Sequence, residues 1–223
     1  MARDNDAMKV GMLGTGTVGQ TIASRLAELG HEVVMGSRGA ANPRAREWAA
    51  AHPGARAGSF ADAAGHGELV VNATAGIASL AALEAAGAAR LASKVLLDVA
   101  NPLDFSDGMP PVLTVVNRDS LGEQIQRGYP AARVVKALNT VNSEVMVHPE
   151  LVPGGHTVFV AGDDPAAKRV VAGLLGEFGW PAASILDLGG IRAARGMEMY
   201  LPLWLSMMGA LGTARFNIQV VRG

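Results

Sequence analysis

Gly14, Gly16 and Gly19 carry the first chemical signal in the chain. They stand in the run Gly14-Thr15-Gly16-Thr17-Val18-Gly19, a G-x-G-x-x-G spacing. Each glycine answers a different need of a bound pyrophosphate. Gly14 permits a tight turn off a strand, Gly16 lets phosphate approach a bare backbone, and Gly19 lets the next helix pack close. The start of that helix then offers unpaired N–H groups and a positive dipole end to the anion. The same spacing can merely join strand to helix. Here it follows an apolar strand, opens a helix and sits in a unit of about thirty residues, the context of a dinucleotide site.

The end of the second strand selects the dinucleotide. Units that bind NAD place Asp or Glu about 20 residues after the glycines to hold the ribose 2′-hydroxyl. This chain reads Gly36-Ser37-Arg38 in that slot. No carboxylate repels a 2′-phosphate, while a hydroxyl and a guanidinium can bind one. Arginine suits phosphate because its donors form a rigid fork. Arg44, with Arg46 beyond it, lies near enough to help. NADP(H) is the expected cofactor.

The elements that must position these residues follow from hydrophobic period. Lys9–Leu13 reads as a strand and Thr21–Leu29 as a helix with apolar Ile22, Leu26 and Leu29. Gly30 stops that helix, and Glu32–Met35 is a second strand. Asn42-Pro43 opens a helix that runs to Ala51. Ala55–Ser59 is a weak strand, Phe60–Ala64 a short helix, and Glu68–Ala73 a buried strand. Ser79–Ala89 is an alanine-rich helix, followed by strand Lys94–Val99 and an irregular stretch over 103–118. Ser120–Arg127 is a helix and Arg133–Leu138 a sixth strand. The soft region His148 to Gly155 marks a boundary between residues 1–150 and 151–223. Strand Thr157–Ala161, helix Ala166–Phe178, a buried strand Ser184–Leu188 and an apolar helix Arg192–Ala214 complete the chain.

Strands alternating with helices predict an α/β fold: a doubly wound parallel sheet, then a small C-terminal α/β lobe ending in the apolar helix. Ligands of such sheets sit at the carboxyl ends of the strands. Asn72, Ala73, Thr74, Ala75, Ala100, Asn101 and Pro102 therefore join the predicted site. Asn139 and Thr140, after the sixth strand, are placed with them. Met199–Leu211 is too short for a membrane span, which needs ~20 apolar residues, and Pro202 interrupts it. Its expected role is a buried or dimer-forming helix, or one wall of a pocket for a flat apolar partner.

Composition excludes several classes. With 49% hydrophobic residues the chain can bury a sizeable core. A net charge of −1 without a basic stripe argues against nucleic acid. Zero cysteines exclude disulfides, thiolate catalysis and cysteine-ligated metal centres. The start MARDNDAMKV lacks an apolar leader, so a cytoplasmic protein is expected, with residues 1–7 polar and frayed.

The pieces GTGTVGQTIASRLAELGHEVVMGSR, KALNT, FVAGDD and the apolar C-terminal helix together resemble one family: the NADPH-dependent reductases of the deazaflavin coenzyme F420. The resemblance spans nearly the whole chain. It implies a Rossmann domain holding NADP, a C-terminal lobe completing the deazaflavin pocket, and a homodimer. Thr15, Ser37 and Arg38 fall on its 2′-phosphate positions. Archaeal members carry His at the position of Asn139.

The expected reaction is direct hydride transfer between the two rings. That chemistry needs stacking and positioning rather than a side-chain nucleophile. No catalytic acid or base and no metal site is therefore expected. His31, His52, His66, His148 and His156 are read as surface or loop residues. Paired carboxylates are not found in a motif context. One rival is an imine or carbonyl reductase of the β-hydroxyacid dehydrogenase type, whose K-x-x-N matches Lys136 and Asn139. There the pair shares a helix face, whereas here it lies on a strand, where positions three apart face oppositely. A flavin-dependent ferric reductase resembling the cytosolic domains of membrane metalloreductases is a variant of that rival. A non-enzymatic NADP(H) sensor is the reading from another class.

Overall fold

The computed structural model describes residues 7–223, so of the start expected to fray only Ala7 lies among the described residues. The first strands and helices run β1 (Lys9–Leu13), α1 (Thr17–Glu28), β2 (Glu32–Ser37), α2 (Pro43–Ala51), β3 (Arg56–Ser59), α3 (Phe60–His66) and β4 (Leu69–Asn72). Then come α4 (Ser79–Ala86), α5 (Ala88–Leu91), β5 (Val95–Asp98), a small hairpin of β6 (Leu103–Asp104) and β7 (Val112–Leu113), α6 (Leu121–Gly128) and β8 (Arg133–Ala137). The chain closes with α7 (Ser143–Val147), β9 (Val158–Ala161), α8 (Pro165–Glu177), β10 (Ile185–Asp187), α9 (Ala194–Met199) and α10 (Leu201–Leu211).

Eight strands form one sheet in the order β10-β9-β8-β5-β4-β1-β2-β3. From β8 to β3 all neighbours are parallel. β9 then runs antiparallel to β8, and β10 lies parallel to β9. This is an α/β doubly wound fold of Rossmann type. Strands from both sides of residue 150 share the sheet.

Strand alternation divides the core between the two faces. Val10 and Met12 of β1, Val71 of β4, Leu97 of β5 and Val135 of β8 pack with α1, α7 and α8 through Ile22, Val145 and Leu174. Val70, Leu96 and Val134 face the other way, with Phe60, Leu83, Ile125 and Ile191.

Several boundaries differ from expectation for identifiable reasons. The helix expected over Ser79–Ala89 breaks at Gly87, whose φ of +91° ends α4. The strand expected to be buried at Ser184–Leu188 is shorter, and as an edge strand it keeps Asp187 exposed. The apolar helix expected from Arg192 to Ala214, interrupted at Pro202, is a 3₁₀ turn (Ile191–Ala193), α9 and α10, with Pro202 in the first turn of α10. Proline there needs no N–H partner. Only Leu201 of α10 is buried, and Leu203 and Leu211 are each 58% exposed.

His31 and His156 lie in loops, within the surface or loop reading, but both are buried. His31 bonds the Glu177 carboxylate at 2.8 Å and accepts from the Met8 amide, while His156 lies between the Pro149 carbonyl and Asn217. Each has protein partners on both ring nitrogens.

Candidate active site

The strand order reverses beside β1: the chain passes from β1 to β2 and β3 on one side, then returns with β4 on the other. The carboxyl ends of β1 and β4 therefore flank a crevice, the position where such sheets bind ligands. Gly14 leaves β1 with φ +119°, and a Cβ there would meet the Ala73 carbonyl oxygen at 2.5 Å. A Cβ on Gly19 would lie 2.5 Å from the Gly14 carbonyl oxygen. Gly16 differs: nothing stands within 4 Å of its absent side chain. Its bareness serves space outside the protein rather than packing within it.

Gly16 is also the N-cap of α1 and supplies no side-chain acceptor. The helices α2, α3, α6, α7 and α8 are capped by Asn42, Ser59, Ser120, Asn142 and Asp164. The start of α1 thus keeps donors free where an anion would sit. Thr15 and Thr17 flank Gly16 and are partly or fully exposed. Ser37 ends β2, largely buried, and its Oγ donates to the Gly39 carbonyl at 2.7 Å. Arg38 and Arg44 are exposed, and among the described residues neither joins a hydrogen bond or ion pair.

Beside this surface opens a cleft of about 370 Å³. Val18, Ala73, Thr74, Ala75, Ala100, Asn101, Asn139 and Thr140 line it. Seven of these are the predicted strand-end residues, brought together from three strand ends. Asn72 lies beneath the cleft instead, with its amide engaged by Asp98, Ser79 and Thr74. Pro102 is off the wall and gives its carbonyl to Thr114. Leu201 and Trp204, from the stretch expected to wall a pocket, also line it, together with Ile77, Phe105 and Met146, which the sequence had not singled out. Leu201 and Trp204 belong to the apolar C-terminal helix, whose composition was the available signal. Phe105 sits in the hairpin region and carried none.

The wall is mostly apolar, but two of its polar residues are left incomplete. Asn139 is 2% and Thr140 1% exposed, yet among the described residues Asn139 Oδ1 and Thr140 Oγ1 find no partner. The Trp204 indole N–H likewise has no partner among the described residues, whereas those of Trp48 and Trp180 donate to Ser24 and the Met146 carbonyl. A buried polar group without a partner costs about 1–3 kcal/mol. Clustered on one cleft, such groups mark where a polar ligand edge fits.

Under the cleft lies a group of charges that the sequence did not reveal. Lys136 is fully buried. Its Nζ donates to Asp98 Oδ2 and Glu198 Oε1, each at 2.8 Å, and to the Ala100 carbonyl. Burial presses the ammonium toward neutrality, but Asp98 and Glu198 more than reverse this and raise its pKa above the ordinary value. Glu198 also accepts from the Leu121 and Gly122 amides at 2.8 and 3.0 Å.

The expectation that Lys136 and Asn139 face oppositely is corrected here. β8 is a strand, but Leu138 beyond it adopts φ +64°. Alternation would set Leu138 beside Val134; instead it packs with Val135 and Ala137. The residue after it is thereby turned toward the Lys136 face. Asn139 Nδ2 donates to Asn101 Oδ1 at 2.9 Å and to the Met197 carbonyl at 3.1 Å, next to Glu198.

The family profile described as coenzyme F420-dependent NADP oxidoreductase matches residues 9–102. A crystal structure described as a candidate F420-dependent NADP reductase from Arthrobacter sp. FB24 is 54% identical, covers 97% of this chain and 100% of its own, and superposes with a TM-score of 0.91. The chain belongs to the coenzyme F420-dependent NADP oxidoreductase family. It is an NADP-linked oxidoreductase. Rat metalloreductase STEAP3 is 30% identical over 207 residues, which make up 89% of this chain and 38% of that protein. The chain thus spans well under half the length of this relative. A reductive aminase from Aspergillus terreus, solved with NADPH, shares 19% identity and covers 92% of this chain and 63% of its own, with a TM-score of 0.65. That likeness is one of fold.

Proposed function

We propose that this member of the F420-dependent family transfers a hydride directly between NADP(H) and coenzyme F420. The cleft carries the reading: a mostly apolar slot at the strand ends, with vacant polar atoms on Asn139 and Thr140. Bound NADP(H) supplies or takes up the hydride at its nicotinamide. The α1 N-terminus and Gly16 receive the pyrophosphate, while Thr15, Ser37, Arg38 and Arg44 take the 2′-phosphate. Ala73–Ala75 and Ala100–Asn101 hold the ribose and nicotinamide from below. Leu201 and Trp204 cover the deazaflavin ring, and Asn139 and Thr140 meet its polar edge. In this reading residues 1–150 bind NADP and residues 151–223 complete the acceptor side. The chain's own contribution is to align two rings and exclude water, with reacting atoms brought to about 3–3.5 Å.

The alternative imine or carbonyl chemistry asks Lys136 to act at the cleft. All three of its protons are engaged and no atom of it is exposed. We further propose a cytoplasmic homodimer joined through α10.

The test is to mix protein, NADPH and oxidised deazaflavin and follow loss of the deazaflavin's visible absorbance. Fast bleaching with NADPH, and little with NADH or with FMN as acceptor, is the expected outcome. Tight NADPH binding without bleaching would refute the acceptor and direct the search to imines and carbonyls. Oxidation of NADPH by no acceptor at all would leave the sensor reading.

A further inference from the structure

Lys136 has no part in the hydride transfer proposed above, yet the fold encloses its charge completely. Removing an ammonium from water costs several kcal/mol, which its partners must offset. Those partners come from separate parts of the molecule. Asp98 ends β5, and its Oδ1 also accepts from Asn72 and from the Ala100 amide. The Ala100 carbonyl belongs to the cleft wall at the strand ends. Glu198 belongs to α9 and is held by the first amides of α6. Three residues beyond Glu198 the chain reaches Leu201, and six beyond it Trp204, both of which also line the cleft.

We infer that Lys136 is a positioning residue, whose ammonium fixes the distance between the strand-end wall and the α9–α10 wall of the cleft. The inference rests on the proposed use of the cleft, with nicotinamide against one wall and acceptor against the other. Three N–H bonds directed at β5, the Ala100 carbonyl and α9 leave no slack between the walls. The Asn139 bond to the Met197 carbonyl repeats the tie one residue away. Direct transfer is sensitive to such spacing, since a displacement of about 1 Å can lower a rate ~10²-fold.

The test uses Glu198→Gln and Lys136→Met in the full-length protein. Glu198→Gln removes the α9 charge and turns one of its two acceptors into a donor, which loosens the tie between Lys136, α9 and α6, but it leaves Lys136 and Asp98 as a balanced pair, so it keeps the fold if Lys136→Met does not. The first readout needs no acceptor: energy transfer from Trp204 to bound NADPH, isolated by subtracting the signal of Trp204→Phe in each background. The second is turnover of the deazaflavin with NADPH deuterated at the transferred position. We expect NADPH affinity to stay within about threefold, because none of the residues assigned to the phosphates bonds to Lys136 or Glu198. The Trp204 transfer efficiency should change clearly. kcat should fall about 10²-fold, with a larger isotope effect and little change in the KM for NADPH.

Folded Glu198→Gln with wild-type transfer efficiency and wild-type kcat would overturn the inference. So would loss of NADPH binding and activity strictly in proportion to lost folded protein, since that is the mark of an ordinary buried ion pair. Changed energy transfer in a protein whose wild type never reduces deazaflavin would sustain the role of Lys136 and remove the deazaflavin reading. Normal wild-type turnover with unaltered variants would do the reverse.

Discussion

Alanine at Gly16 and alanine at Gly14 are expected to fail in different ways. Gly16 has ordinary extended backbone and open space at its Cβ position. Gly16→Ala should therefore leave the unfolding temperature within about 1 °C and weaken NADPH binding at least tenfold, read by calorimetric titration. Gly14→Ala must accept φ +119° and a contact of 2.5 Å with backbone. The strain is about 1–3 kcal/mol, so its unfolding temperature should drop by several degrees before any binding is measured. Arg38 has no partner to lose, so Arg38→Ala should act on the cofactor alone. Losing one charged hydrogen-bonding group, about 1.5–3 kcal/mol, predicts ~10–100-fold weaker NADPH binding with NADH binding nearly unchanged. Equal losses for both would overturn the 2′-phosphate assignment. These residues were legible because backbone clearance and missing carboxylates show in sequence. Lys136 was not: its partners lie 38 and 62 positions away, and the left-handed turn at Leu138 reverses a parity that pattern reading assumes.

At the scale of elements, α6 and α9 are bonded to each other beside the cleft. Ser120 caps α6, accepting from the Glu123 amide at 3.1 Å and donating to its carboxylate at 2.8 Å. Ser120→Ala should cost about 1–2 kcal/mol, a fall of roughly 2–8 °C for a chain of this size, measured by thermal unfolding. Arg195 on α9 clasps Glu123 with two bonds of 2.6 and 2.7 Å. That clasp, more than the Ser120 bond, holds the Glu123 carboxyl below its ordinary value of 4.5. A depressed carboxyl stabilises the fold above its unfolded pKa and loses that contribution as pH falls through the folded value. The unfolding-temperature gap between wild type and Arg195→Met should thus be full at neutral pH and narrow as pH falls below the ordinary carboxyl value of 4.5. A gap independent of pH would show that Arg195 acts by packing instead. Helix starts were largely legible: Asn42-Pro43 marked the start of α2, and the helix expected from Ser120 begins at Leu121 with Ser120 as its cap. The split of the C-terminal helix was half legible, because Pro202 signalled a break but not a restart within one turn.

For the whole molecule, the alternation of strands and helices made the doubly wound sheet readable. The reversal at β9 was not, because hydrophobic pattern records burial and not strand direction. The exposed run on α10 bears on assembly. Leu203 and Leu211, each 58% exposed, lie on a helix whose only polar side chain is Ser206. If a second copy covers this surface, as proposed, Leu203→Asp with Leu211→Asp should yield a monomer in sedimentation at micromolar concentration, while NADPH still binds. An unchanged sedimentation coefficient would place any dimer contact elsewhere. The bare start of α1 reaches further, into the life of the protein in the cell. A ligand that serves as the missing cap stabilises the chain by about 2.7 kcal/mol at a hundredfold excess over its Kd. The fraction open to proteases then falls about a hundredfold, so steady-state abundance should track the NADP pool. Pulse-chase half-lives in cells depleted of that cofactor would read the dependence directly, with Gly16→Ala as the chain that no longer responds.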